Sequence, residues 1–260
     1  MIWNQRLFDR HLTTRRFGRE VEWLAEVDST NRWLADHVDR FTMSGGVVVT
    51  DHQTKGRGRY DRMWHDKAGA CLLFSLFIRQ STTDENSLGS LLPAIALADV
   101  LTARAERMTT VRVKWPNDVL LNGRKVAGIL GQNLPQGQQI LSIVGVGLNV
   151  SLREEDFPDD IKDSATSLFR EMGTSVPREV ILAEMLGVWE QLLDECAMGN
   201  IRRILDRWES YGPERGSRIV RRTDQTTLEG RYAGLGERGQ LLLKCENGMI
   251  HEVFSGDIEP

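Results

Sequence analysis

No stretch of the 260-residue sequence stays apolar for the roughly 20 residues needed to cross a bilayer. A membrane-spanning helix is therefore not expected. Cysteine is scarce: Cys71, Cys196 and Cys245 are scattered, odd in number and each set in an apolar run. That pattern reads as buried thiols in a reducing cytoplasm rather than a disulfide framework. The five histidines show no metal-ligand spacing, and neither HExxH nor CxxC occurs. No GxxxxGK[ST] loop is present, and Gly56-x-Gly58 lacks the third glycine of a dinucleotide fingerprint. Net positive charge is missing too: the formal total is -4, which argues against a dedicated DNA-binding protein. The N-terminus has no secretory apolar core. Its arginines (Arg6, Arg10, Arg15, Arg16, Arg19) would suit an organelle transit peptide, but Asp9 and the early onset of a folded pattern speak against one. Internal repeats and low-complexity segments are lacking.

What the chain does have is a basic loop between two apolar runs, 46–50 and 71–78. From His52 to Gly69, five basic residues (Lys55, Arg57, Arg59, Arg62, Lys67) against two acidic ones (Asp61, Asp66) leave a local charge of +3. Compact domains seldom keep so long a connection unless it binds something or is disordered. Glycines admit close backbone approach and guanidinium groups pair with phosphate or carboxylate, so the loop suits an anionic ligand. Charge alone does not separate that reading from a plain solvated loop.

Apolar content of 40% and charged content of 27% fit an ordinary globular protein, long enough for one large and one small domain. Residues 1–18 are polar and give no clear element. A strand over 20–27 leads into Asp28-Ser29-Thr30-Asn31, where small polar residues suit a helix cap. The helix should run to about 40, with His37 on the flank of its apolar face. Capping is the plainer reading of Ser29, Thr30 and Asn31 from these residues alone. A strand over 71–79, apolar at nearly every position, reads as buried on both faces. A helix over about 86–107 follows, with Pro93 in or near its first turn. After a strand over 111–115, Asn122-Gly123 between apolar alternations predicts a hairpin of 119–121 with 124–130. Lys125 then lies near the turn, with Asn117 and Asp118 at the far end of the partner strand. A snorkelling surface lysine and an anion-binding lysine are both open there. The strand over 139–150 contains Gly145 and Gly147, which weaken a strand unless something packs closely against it. Residues 151–166 read as loop. Helices are expected over 177–198 and 201–211, with Pro177, Asn200 and Gly212 as punctuation. From about 213 short strands alternate (217–222, 226–232, 240–245, 249–254), which suggests a small barrel. The division expected is 1–212 and 213–260.

Taken together, Gln53-x-x-Gly56-Arg57-Gly58-Arg59 with Trp64, Lys114-Trp115-Pro116-Asn117-Asp118, Lys125-Val126-Ala127-Gly128, Gly145-x-Gly147-x-Asn149, Asp28-Ser29-Thr30-Asn31 and Ala165-Thr166-Ser167-Leu168 resemble biotin protein ligase, the biotin–[acetyl-CoA-carboxylase] ligase family. Order and spacing match over roughly residues 18–260. The resemblance implies an α+β fold: a mixed-sheet, class II synthetase-like catalytic domain followed by a small SH3-like β-barrel. It also implies a cytoplasmic enzyme that joins biotin to ATP, with Mg²⁺, giving biotinyl-5′-AMP and pyrophosphate. The biotin then passes to a lysine of a biotin carboxyl carrier protein. Two anions must meet, so fixed positive charge is needed where charge develops.

By this resemblance Arg57, Arg59, Lys125 and Asp118 are the catalytic candidates. Ser29, Thr30, Asn31, Gln53, Gly58, Gly128 and Gly147 join Arg57, Arg59 and Lys125 around biotin, with both strand glycines leaving room for ligand rings. A site built to hydrogen-bond the ureido ring rejects analogues that lack it. Arg62, Trp64, Asn117 and Asn149 join Arg57, Arg59 and Lys125 around ATP or the adenylate, and Asp118 is the Mg²⁺ candidate. Closure of the loop, with Arg62, would keep water from the anhydride.

Two departures stand out. Tyr60-Asp61-Arg62 replaces the Arg-Gly-Arg with which relatives often continue the loop, which predicts a stiffer and less basic loop. Only about 18 residues precede the first strand, so a DNA-binding domain and DNA as a partner are not expected, while a homodimer is compatible with the sequence. The nearest rival is a lipoate or octanoate transferase, which predicts a long apolar slot. From another class, a non-catalytic anionic-ligand or nucleic-acid binder would use the same loop, the latter needing a broad basic face with aromatics.

Overall fold

The structure is a computed structural model and describes residues 3–81, 88–105, 108–173, 176–223 and 226–259. In chain order the first part comprises α1 (Gln5–His11), β1 (Val21–Leu24), α2 (Thr30–Asp36), β2 (Val47–Thr50), β3 (Cys71–Ser81), α3 (Leu91–Thr102), β4 (Val111–Lys114), β5 (Asp118–Leu121), β6 (Arg124–Gln136), β7 (Gln139–Asn149), α4 (Leu168–Met172), α5 (Arg178–Ala197) and α6 (Ile201–Tyr211). The last part is β8 (Arg218–Arg222), β9 (Thr227–Leu235), β10 (Leu241–Lys244), β11 (Ile250–Val253) and β12 (Asp257–Glu259). Strands β1 to β7 form one mixed sheet in the order β1-β2-β3-β7-β6-β5-β4, in which only β1 and β2 are parallel. Strands β8 to β12 form an antiparallel sheet in the order β11-β10-β9-β8-β12. The fold is mixed α+β.

Side chains alternate across a strand, and the sequence uses the two faces differently. On one face Leu72, Phe74, Leu76 and Ile78 of β3, Val144, Val146 and Leu148 of β7, and Ala127 and Ile129 of β6 pack with α3, α5 and α6 into one large core. Ile219, Tyr232, Leu235, Leu241 and Leu243 of the second sheet belong to that same core. Trp115 links the two sheets, its Nε1 donating to Gly239 O at 3.0 Å. On the opposite face α2 covers Val48, Phe77, Leu141 and Ile143. Farther along, apolar side chains give way to Ser75, Gly145, Gly147, Asn149 and Gly128, and that gap in the hydrophobic pattern is where the cavity lies.

Several expectations shift. The helix expected to reach 40 ends as α2 at Asp36, because His37 leaves helical geometry (φ -130, ψ 20) and a 3₁₀ turn, Val38–Arg40, follows. His37 stacks on Trp33 with ring centroids 4.4 Å apart, a packing role. The ends of the helix expected over 86–107 (86–87 and 106–107) lie outside the described residues; its middle is α3, with Pro93 in the first turn. The hairpin strand continues past 130 to Gln136. The unplaced N-terminus forms α1, which buries Phe8. It is strapped to α5: Asn4 N donates to Glu179 Oε1 at 2.8 Å, and the amides of Arg15, Arg16 and Phe17 donate to Glu190. Burial pushes the Glu190 carboxyl up, but these amides together hold it below the usual carboxylate range.

Candidate active site

The floor of the cavity is the glycine-bearing face of β6 and β7. Gly128 and Gly147 are register partners there. A Cβ on Gly147 would stand 2.5 Å from Trp64 Cε2, and one on Gly128 would stand 3.0 Å from Trp64 Cζ3. The Trp64 indole lies against the room those glycines leave, and all three residues line the cavity. Trp64 Nε1 is buried without a partner among the described residues, a donor that a ligand acceptor would satisfy.

Lys125 reaches this face through a β-bulge. Asp118 pairs with Gly128 and Val119 with Ala127, but Leu120 pairs with Lys125, so Val126 is the extra residue. An inserted residue re-aims its neighbours. Val126 and Ala127 both join the large core, and Lys125 comes to the same face as Asp118 and Gly128. Its backbone is tied on the other side by the segment holding Ala165 and Thr166: Lys125 N donates to Ser164 O and Thr166 N to Lys125 O, each at 2.8 Å. Lys125 Nζ lies 2.7 Å from Asp118 Oδ1, a charge contact whose angle falls outside hydrogen-bond geometry. It also lies 5.8 Å from the centre of the Trp64 ring, within cation–π reach.

The polar end of the cavity is built on the N-terminus of α2. Ser29 holds the cap position with extended backbone but makes no side-chain cap bond. The amide of Thr30 donates instead to Gln53 Oε1 at 2.8 Å, and Thr30 Oγ1 lies 3.1 Å from the same oxygen. The capping reading of these residues is therefore replaced by a network. Asn31 Nδ2 donates to Leu130 O at 3.1 Å. Ser75 Oγ, fully buried, sits 2.6 Å from Asn31 Oδ1 and 2.7 Å from Thr30 Oγ1. Gly145 is required here, since a Cβ would stand 2.3 Å from Asn31 Oδ1.

The basic loop folds back as a small hairpin over the floor: Trp64 N donates to Gly56 O at 3.0 Å and Gly58 N to Arg62 O at 2.7 Å. Its tip is a 3₁₀ turn, Arg59–Asp61, in which Tyr60 takes left-handed backbone (φ 54, ψ 41) where glycine would be at ease. Arg59 stacks on the Tyr60 ring at 4.8 Å. The tip is held from the second sheet. Arg62 pairs with the Asp257 carboxylate, Arg59 approaches it at 3.7 Å, and Arg59 Nη1 donates to Gly256 O at 3.2 Å.

On the far side, Asn117 Nδ2 donates to Ile129 O at 2.8 Å and Asn149 Nδ2 to Thr166 O at 2.9 Å, so each amide has a structural bond as well as a place in the lining. Burial pushes the Cys71 thiol beneath Asn149 up to about 12, leaving it neutral. Among the described residues no group of three or more His, Cys, Asp or Glu could hold a metal by itself.

Every residue singled out from the sequence lines one cavity of about 440 Å³: Ser29, Thr30, Asn31, Gln53, Arg57, Gly58, Arg59, Arg62, Trp64, Asn117, Asp118, Lys125, Gly128, Gly147 and Asn149. Sequence reasoning missed Asp257, Phe157 and Ile161, which also line it, and Ser75 beneath it. Lys114 lines it as well, although the sequence reading gave it no role. Ser75 had a signal, as the polar residue within the apolar run 71–78; Asp257 had none.

Comparison with known proteins agrees with this geometry. Residues 23–149 match the Biotin/lipoate A/B protein ligase family. The bifunctional ligase/repressor BirA of Bacillus spizizenii is 33% identical over 250 residues, 95% of this chain and 76% of that one. The biotin–[acetyl-CoA-carboxylase] ligase of Paracoccus denitrificans is 31% identical over 243 residues, 90% of this chain and 99% of that one. Among solved structures, the biotin protein ligase from Aquifex aeolicus in complex with biotin and ATP superposes with a TM-score of 0.76 at 30% identity, covering 93% of this chain and 98% of that one. A single cavity that gathers the motif residues, in a chain with relatives of this similarity along nearly its whole length, places the protein in the biotin protein ligase family.

Proposed function

We propose that the chain is a biotin–protein ligase that activates biotin with ATP and transfers it to a lysine of a biotin carboxyl carrier protein. The observation that carries this reading is the convergence of Arg57, Arg59 and Lys125 with the polar α2 terminus on one cavity. One end is lined by hydrogen-bonding groups from Ser29, Thr30, Asn31 and Gln53, which suits a ureido ring better than the long apolar slot a lipoyl chain needs. The middle carries fixed positive charge, and the far end is lined by Trp64, Asn117 and Asn149, which suits a nucleotide.

In the first step a carboxylate oxygen of biotin attacks the α-phosphorus of ATP, and the bond to pyrophosphate breaks. Lys125 and the two arginines bring two anions together and offset charge on the phosphoryl oxygens. In the second step the amine of the carrier lysine attacks the acyl carbon, the bond to AMP breaks, and an amide forms. Asp118 stands where it can accept the proton that amine must lose. As a lone carboxylate it also fits Mg²⁺ as a co-ligand of nucleotide phosphates, an ion that would neutralise the leaving pyrophosphate. The basic hairpin, pinned by Asp257, keeps water from the mixed anhydride.

The residues before 213 form the catalytic domain and those from 213 an SH3-like barrel; the two separate sheets support that division. The enzyme acts in the cytoplasm, where carrier proteins and reduced thiols are found together. Mixing the protein with labelled biotin, ATP, Mg²⁺ and a carrier domain tests the reading: label on the carrier supports it, and unlabelled carrier beside an active control ligase rejects it.

A further inference from the structure

The base of the basic loop carries a buried carboxylate that the two-step reaction does not use. Asp66 lies just beyond Trp64, and its side chain is only 1% exposed. An ionised carboxylate in such a place is costly unless it is fully hydrogen-bonded. Oδ1 accepts from His52 Nδ1 at 2.6 Å, and Oδ2 accepts from the backbone amide of Gln53 at 3.2 Å. Asp66 thus clasps the outgoing end of the loop to its incoming end, across 13 residues of chain. Gln53 is in turn the side chain whose Oε1 receives both Thr30 N and Thr30 Oγ1. With Oε1 occupied, Nε2 is the donor that side chain can present to the cavity, and it stands where a Cβ on Gly56 would be 3.2 Å away.

We propose that Asp66 is a positioning residue for the biotin-binding end of the cavity: by holding the Gln53 amide and the His52 ring, it fixes the direction in which the Gln53 carboxamide meets the ligand's ureido group. The inference rests on the biotin-ligase reading above. Asp66 touches no reacting atom, so its removal acts on ligand affinity and not on the chemical step. The interaction is a charge-assisted pair of hydrogen bonds to one carboxylate, and such bonds are the strong ones in proteins. Asp66 bonds Gln53 directly and meets the nucleotide-lining side chains of the loop only through the chain, so biotin affinity is the quantity its removal changes most.

The test is calorimetric biotin binding and steady-state pyrophosphate release for wild type, Asp66→Ala and Asp66→Asn, with far-ultraviolet circular dichroism to confirm the fold. Asp66→Ala is expected to weaken biotin binding and raise its KM about tenfold, the scale of a lost charged hydrogen bond, while kcat and the KM for ATP stay within twofold. Asp66→Asn keeps an acceptor for the Gln53 amide and is expected to recover part of that loss. A general loosening of the fold would lower kcat and raise both KM values together, and that result overturns the proposal. So does unchanged biotin affinity in Asp66→Ala. Should Asp66→Ala not fold, Asp66→Asn alone decides: biotin KM and ATP KM changing together, or neither changing, overturns it. Wild-type protein that fails to bind biotin rejects the functional reading itself, whereas wild-type binding with an indifferent Asp66→Ala rejects this inference alone.

Discussion

Lys125 Nζ and Asp118 Oδ1 stand 2.7 Å apart, and the bulge at Val126 brings Gly128 to the same face of the sheet as both. That pairing poises a cation and a carboxylate at the centre of the cavity and leads to the first prediction. Lys125→Ala should lower biotin-dependent pyrophosphate release by on the order of a thousandfold, the scale for losing a preorganised charge in a transition state, while the thermal midpoint changes little. Turnover retained at the wild-type rate would remove Lys125 from the chemistry.

Gly147 has no tolerance for a side chain, because Trp64 already lies against it. Gly147→Ala should leave the chain folded but push the indole outward, lowering kcat/KM by at least about tenfold, as overpacking of a filled site does. Wild-type kinetics in this variant would show that the Trp64 position does not matter.

Asp257 holds the basic hairpin through Arg62 and Arg59. Asp257→Asn should make trypsin cut the 52–69 segment several-fold faster, and biotin with ATP should restore protection. Equal cleavage of variant and wild type would show that the hairpin is held by its own bonds.

The Glu190 carboxyl titrates below its usual 4.5 in the folded protein, so it contributes stability that is complete above that value and is lost as pH falls through the folded value. The stability gap between wild type and Glu190→Gln in urea should therefore be widest above 4.5 and shrink as pH falls below it. A gap that widens on acidification would reverse the assignment.

Cys71 is wholly buried with its thiol pushed up to about 12. In native protein at about pH 8, where an ordinary thiol reacts, iodoacetamide should leave Cys71 unmodified and label it only after denaturation. Rapid native labelling of Cys71, read by peptide mass, would contradict the packing described.

How much of this was legible in the sequence depends on how far each signal travels along the chain. Asn122-Gly123, the nearly continuous apolar run of the strand expected over 71–79 and the Gly-Arg-Gly-Arg run are local, and each led to the element or cavity wall found there. The bulge at Val126 was not legible, because two adjacent core residues in a strand look the same as a register continued. Residues 1–18 defied assignment because Glu179 fixes the start of α1 and Glu190 the segment after it, both more than 170 positions away. Asp257 escaped notice for the same reason: it meets Arg62 across 195 residues. Ser29-Thr30-Asn31 carried an ambiguous local signal, and its outcome depends on Gln53, a distant side chain that accepts the Thr30 amide while Ser29 makes no side-chain cap bond.

The central claim is that this cavity lets a biotin carboxylate reach the α-phosphorus of ATP. It is tested most directly by incubating wild type and Lys125→Ala with radiolabelled biotin, ATP and Mg²⁺ and a biotin carboxyl carrier domain, then measuring label on the carrier lysine. The account predicts stoichiometric labelling by wild type and almost none by the variant; no labelling by folded wild-type protein, or equal labelling by both, would contradict it.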